Sequence, residues 1–264
     1  MSTTVGVELD YYGSPQPHPK QLSVELILEI IAVVASPLVA PDTDTTVRSD
    51  PEELVRFESS TEYRAFRTLT AASLVSRTWN VLCRPHIFRT LFISTKNPIA
   101  RLTFLHFSAP HLAEHIRVLR LWWNHNHPDL RDRHTLNMGW VPSCFARLTN
   151  LQELYLGQWF GRRVVPPAPL TVGMSSIFSA PLRKLVLRGW GFSGKSYLPA
   201  FSMLAHTLED LRLDKIVTDE IELPAPPDHI RLEALRNLEL RDIDYPVLRC
   251  PNFIECPNLK RFTA

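Results

Sequence analysis

A chain of 264 residues, 45% of them hydrophobic, carries enough apolar material for one large core or two small ones. Its net charge of +2, with no long run of Lys or Arg, excludes the electrostatic footprint of a dedicated nucleic-acid binder. Four scattered cysteines (Cys83, Cys144, Cys250 and Cys256) form no small disulfide framework, which suits a reducing compartment.

The first thirteen residues, MSTTVGVELDYYG, have neither the basic nor the apolar region of a secretory signal. Residues 1–19 read as disordered and close on Pro15, Pro17 and Pro19. From Leu22 the pattern turns helical: Leu22, Leu26, Ile27, Ile30, Ile31 and Val34 recur at three- and four-residue spacing as one amphipathic stripe. Ser23 is placed to cap this helix and Pro37 to stop it. The stretch Val24–Ala40 is interrupted by Glu25, Glu29 and Pro37 and is too short to span a bilayer, so no membrane partner is expected. Cytoplasm, nucleus or both is the expected location.

Residues 38–66 read as an acidic, solvated insertion with a short helix after Asp50-Pro51. Asp42, Asp44, Asp50, Glu52, Glu53, Glu58 and Glu62 outnumber its arginines there. Helical periodicity returns at Phe66 and runs through Leu69, Ala72, Val75, Trp79, Leu82 and Cys83 until Pro85 ends it. Phe88-Arg-Thr-Leu91-Phe-Ile93 then alternates like a strand.

The remainder is built on the template Leu-x-x-Leu-x-Leu. It occurs as Ile116–Leu121, Leu151–Leu156, Leu182–Leu187, Leu208–Leu213 and Leu235–Leu240, with Phe88–Ile93 as an earlier member and Leu259–Phe262 as a partial one. Its central leucines recur 24 to 35 residues apart, and the longer intervals carry Pro-rich insertions such as Pro166, Pro167 and Pro169. Ordered copies of this kind predict a leucine-rich-repeat solenoid with a parallel sheet. The partial last copy predicts an open edge, from truncation or for self-association through residues 250–264.

Strand parity then sorts the residues. Leu154 and Leu156 point inward. Arg120, Trp122, Tyr155, Lys184, Arg188, Arg212, Asp214, Glu239 and Arg241 lie on an outward row whose Arg and aromatic content suits a protein target. A merely solvated sheet face is the competing reading. The position three beyond each template holds Trp159, Trp190, Ile216 and Ile243, read as core rather than as stacking platforms. These fill the slot where such repeats usually carry a hydrogen-bonding Asn, so the turns need other support.

No phosphate loop, nucleophile elbow or zinc-protease helix occurs. His111/His115 and His125/His127 lie near neither Cys nor a carboxylate pair, and Cys250 and Cys256 lack a second pair. No metal and no cofactor is expected, and no catalysis.

The helical segment is specific in another way. Leu22-Ser-Val-Glu25-Leu26-Ile-Leu-Glu-Ile30-Ile31, followed by Leu74-Val75-Ser76-Arg77-Thr-Trp79-Asn-Val-Leu82, resembles an F-box, and Arg84-Pro85-His-Ile-Phe88-Arg89 resembles the junction in fungal F-box proteins with leucine-rich repeats. The resemblance implies a small helical module over residues 20–88 and a leucine-rich-repeat domain over 89–264, together an α+β or α/β repeat class. It implies docking on a Skp-family adaptor through Leu22, Glu25, Leu26, Ile30, Leu74, Val75, Ser76, Arg77, Trp79 and Leu82. It also implies, through that adaptor, a cullin–RING ubiquitin ligase whose other subunits act on a protein held by the repeats. Ser23, where the family usually has Pro, and the long insertion depart from the pattern. They leave open an interaction scaffold that no longer docks the adaptor.

Overall fold

The computed structural model describes residues 22–39, 61–93, 98–124, 140–159, 177–189, 191–192, 201–215, 217–218, 230–243 and 254–263. Within these the fold is mixed helix and strand around a parallel sheet of seven strands. Residues 1–19, most of the 38–66 insertion, His125, His127, Trp190, Ile216, Cys250 and the proline clusters at 166–169 and 224–227 lie outside the described residues.

Helix α1 spans Val24–Val39. Ser23 starts it as expected, its Oγ accepting the Leu26 N–H at 3.3 Å and its carbonyl the Ile27 N–H at 3.1 Å. Pro37 does not stop it. A proline at that position removes the N–H that would bond the Val33 carbonyl. The Ser36 hydroxyl donates to that same carbonyl at 2.9 Å, so the helix runs two residues further.

Helix α2 spans Thr61–Ser73 and helix α3 Arg77–Ile87. Residues 61–66, read as loop, are therefore helical, as are 38 and 39. The periodic run from Phe66 to Cys83 is also divided in two by a turn at Leu74–Ser76. Ser76 makes the break, because its Oγ accepts the Trp79 N–H and so begins a new helix. Pro85 does not end α3. It sits inside the last turn, and the helix closes where the Phe88 N–H donates to the Arg84 carbonyl at 3.0 Å.

The three helices share one small core of Ile27, Ile31, Ala35, Leu69 and Cys83, with Val34, Leu38, Ala72, Trp79, Leu82 and Ile87 packed partly into it. Ile27, Ile31 and Ala35 are four residues apart, a single narrow stripe. The single stripe expected on α1 is thus two: Leu22, Leu26 and Ile30 stand on exposed positions outside this core.

The sheet follows chain order. β1 (Thr90–Ile93), β2 (Val118–Asn124), β3 (Glu153–Trp159), β4 (Lys184–Arg188), β6 (Asp210–Asp214), β9 (Asn237–Arg241) and β11 (Arg261–Thr263) pair side by side in parallel. β5 (Gly191–Phe192) pairs with β7 (Val217–Thr218), and β8 (Ile230–Arg231) with β10 (Ile254–Glu255), as two-stranded additions. Leu91, Leu119, Leu154, Leu185, Leu211, Leu238 and Phe262 share one register row, and Ile93, Leu121, Leu156, Leu187, Leu213 and Leu240 share the next. The main core lies on this side. It is closed by Leu102, Leu105, Leu112, Phe145, Leu148, Phe178 and Phe201 from the connecting segments.

Polar groups fix the strand starts. The carbonyls of Arg89, Arg117, Gln152, Arg183, Glu209 and Arg236 each accept two successive N–H groups from the next strand. Asn150 and Asn258, both just ahead of a leading leucine, donate from Nδ2 across to the Glu114 and Glu233 carbonyls at 2.8 Å. These bonds tie turns together as the Asn expected in such repeats would, from a different position. Gly189, Lys215 and Asp242, each the residue after a strand, turn the chain with positive φ.

Candidate functional site

Two surfaces gather the residues singled out from the sequence. The first is on the helical unit. Leu74 is 80% exposed and Val75 71%, because the turn that Ser76 caps carries them outside both helices. Leu22, Leu26 and Ile30 are exposed on α1, with Val24, Leu28 and Val33 beside them in sequence. Glu25 and Arg77 are exposed as well. Trp79 and Leu82 lie differently: they are half-buried and pack into the unit's own core. Large aliphatic groups on water are ordinary singly and informative when concentrated, and among the described residues most of the exposed large hydrophobics belong to this unit.

The second surface is the sheet face opposite the main core, and it is not a simple wet face. Val118, Tyr155 and Val186 form a buried cluster there, with Tyr155 only 5% exposed. Tyr155 and Val186 are register partners and Val118 pairs with Glu153, so three neighbouring strands bring apolar groups together at outward positions. Pairing across strands creates this cluster, and aligning the template copies by register is the signal that would have found it. The Tyr155 hydroxyl donates to Glu153 Oε2 at 2.8 Å. Arg120 from β2 and Lys184 from β4 both lie over its ring, 4.9 and 5.2 Å from the centroid.

Further along the face the charges pair. Arg188 Nε lies 3.0 Å from Asp214 Oδ2, with the arginine side chain 6% exposed. Burial pushes the Asp214 carboxyl above the usual carboxylate range, and Arg188 only partly offsets this. Arg212 sits between Asp210 and Glu239, 3.4 Å from each, and Arg241 also pairs with Glu239. Burial alone would lower the Arg212 pKa, but Asp210 and Glu239 outweigh it and hold the guanidinium charged. The side chains of Trp122 and Trp159 lie outside the described residues.

The thiols offer no reactive centre among the described residues. Burial raises Cys144 to about 11 against a small opposing pull from Arg147, and burial also raises Cys83 and Cys256. Among the described residues no cluster of three His, Cys, Asp or Glu could hold a metal ion. No described helix is long and apolar enough to cross a membrane. No protein-family model matches the chain, and no curated protein matches it.

Proposed function

We propose that this chain is a non-catalytic adaptor of the F-box type. Its helical unit docks a Skp-family adaptor, and through it a cullin–RING ubiquitin ligase. Its sheet belongs to a leucine-rich-repeat domain that holds a target protein for ubiquitin transfer by other subunits. The observation that carries the reading is the second apolar side of α1, with Leu22, Leu26 and Ile30 exposed while Ile27 and Ile31 fill the core. A helix apolar on two sides in a unit this small suits burial against a partner. The in-register leucine rows on β2, β3, β4, β6 and β9 support the repeat reading of the sheet.

One observation favours a second reading, a scaffold that no longer docks the adaptor. Trp79 and Leu82, two of the residues the family resemblance assigns to docking, are engaged in the unit's own core. Co-purification of the full chain with a Skp-family adaptor separates the two. The first reading expects a stable complex that Leu74→Asp abolishes while the fold persists. Absence of adaptor from the wild-type preparation overturns it and leaves the scaffold.

A further inference from the structure

The turn between α2 and α3 is closed by groups of its own. The last four carbonyls of a helix have no partner within it. At the end of α2 each of them finds one nearby. The Ser73 hydroxyl donates to the Thr70 carbonyl at 2.7 Å, and the Leu74 and Val75 N–H groups donate to the Ala71 and Ala72 carbonyls at 3.1 Å. The last, the Ser73 carbonyl, accepts from Asn80 Nδ2 on α3 at 3.4 Å. Ser73 is buried, so its carbonyl without that donor loses more than an exposed one would.

Asn80 is set to make this bond. Arg84 Nε, one turn further along α3, donates to Asn80 Oδ1 at 3.0 Å. An amide whose oxygen is held on one side presents its nitrogen on the other, here toward Ser73. The Asn80 backbone N–H donates to the Ser76 carbonyl at 2.9 Å, and the Oγ of that same serine caps α3. Asn80 therefore belongs to α3 by its backbone and reaches α2 by its side chain. It is half-buried, while Leu74 and Val75, in the turn it spans, are exposed.

Resting on the reading of this turn as a docking surface, we propose that Asn80 is a positioning residue for the partner. It clasps the end of α2 to α3 and sets the Leu74–Val75 turn in its presented form before the partner arrives. A preset turn need not be ordered on binding, and a chain that holds the presented form only part of the time binds more weakly in proportion to that fraction. The loss falls on association, because the complex once formed has the same contacts. A residue that touched the partner directly would act mainly on dissociation.

Asn80→Ala separates the two roles. It removes the donor and raises the helix propensity of α3, so a loosened turn cannot be traced to a weakened helix. The test joins amide hydrogen exchange of the full chain to surface plasmon resonance against a purified Skp-family adaptor. In Asn80→Ala, exchange at the Leu74 and Val75 N–H groups should quicken about fivefold, the loss of one hydrogen bond. Adaptor association should slow by at least about twofold with dissociation unchanged, and the melting temperature should stay within about 3 °C. Asn80→Asp, which keeps an acceptor for Arg84 and offers no donor to Ser73, should do the same. Unchanged exchange at Leu74 and Val75 in Asn80→Ala overturns the inference, whether or not the adaptor binds. Unaltered association overturns it too, and faster dissociation in its place would make Asn80 a contact residue. A wild-type chain that binds no adaptor, with a turn that still loosens in Asn80→Ala, loses the ligase reading and keeps the clasp.

Discussion

The helical unit and the sheet spend the same residues differently. In the sheet Leu119, Leu154, Leu185 and Leu211 are buried completely, each pressed between register neighbours and the connecting segments. In the helical unit Leu22, Leu26, Leu28 and Leu74 stand on the surface, although α1 is built almost wholly of apolar residues. Two parallel rows of leucine can face one layer of covering chain and be finished. Three short helices enclose only the narrow stripes that point at one another, and the rest of their apolar surface is left exposed. A leucine in the sheet is therefore a stability residue. A leucine on the α2–α3 turn adds little to that stability, because it stays on water.

The sharpest way to break that contrast is to truncate one leucine of each kind. Leu154→Ala should cost about 2–5 kcal/mol in a denaturant titration, the range for cavities in well-packed cores. Leu74→Asp should change stability by no more than about 0.5 kcal/mol, since it alters a group already in water. Equal losses at the two positions would mean that the helical unit has no spare face. A middle-sized effect is expected within the charged face. Asp214→Ala removes the carboxylate beside the nearly buried Arg188 and should cost on the order of 2 kcal/mol, whereas Arg241→Ala, at an exposed pair, should cost a few tenths. Similar losses in the two variants would show that this face is uniformly wet.

The smallest effect concerns pH. Burial, assisted by the positive charge of Arg89, lowers the His86 pKa at the end of α3. The folded chain then takes up its proton at lower pH than the unfolded chain does. The resulting stability is complete above the ordinary imidazole value of about 6.5 and is lost as pH falls through the lower folded value. Melting temperature measured from pH 7.5 to 5 should fall less steeply in His86→Gln. An unchanged slope would remove His86 as a contributor.

The strands were the most legible part of the chain because their code is local and redundant. Leucines at fixed spacing with period-two parity specify both the element and the buried side, and each described copy lies in a strand or leads into one. The helix limits were less so. Pro37 reads as a stop, yet one neighbouring hydroxyl on Ser36 replaces the bond it removes. A periodic run from Phe66 to Cys83 hides a break because Ser76 caps a new helix without interrupting the apolar spacing. The outward face was legible in parity but not in packing. Tyr155 is buried because Val118 and Val186 arrive beside it from other strands, a fact of pairing that no single copy contains. The same holds for the ion pairs, where Arg188 and Asp214 are 26 positions apart in the chain and opposite each other in the sheet.

The double-accepting carbonyls at the strand starts have a consequence for how the molecule is assembled. Among the described residues, each of the seven strands pairs within this sheet with the members of the seven that come next before or after it along the chain. A chain emerging from synthesis can add one strand at a time to a finished edge, without waiting for distant segments to return. Pulled from its end, the sheet should give way in the reverse sequence, one strand per step, as a zip opens rather than as a knot tears.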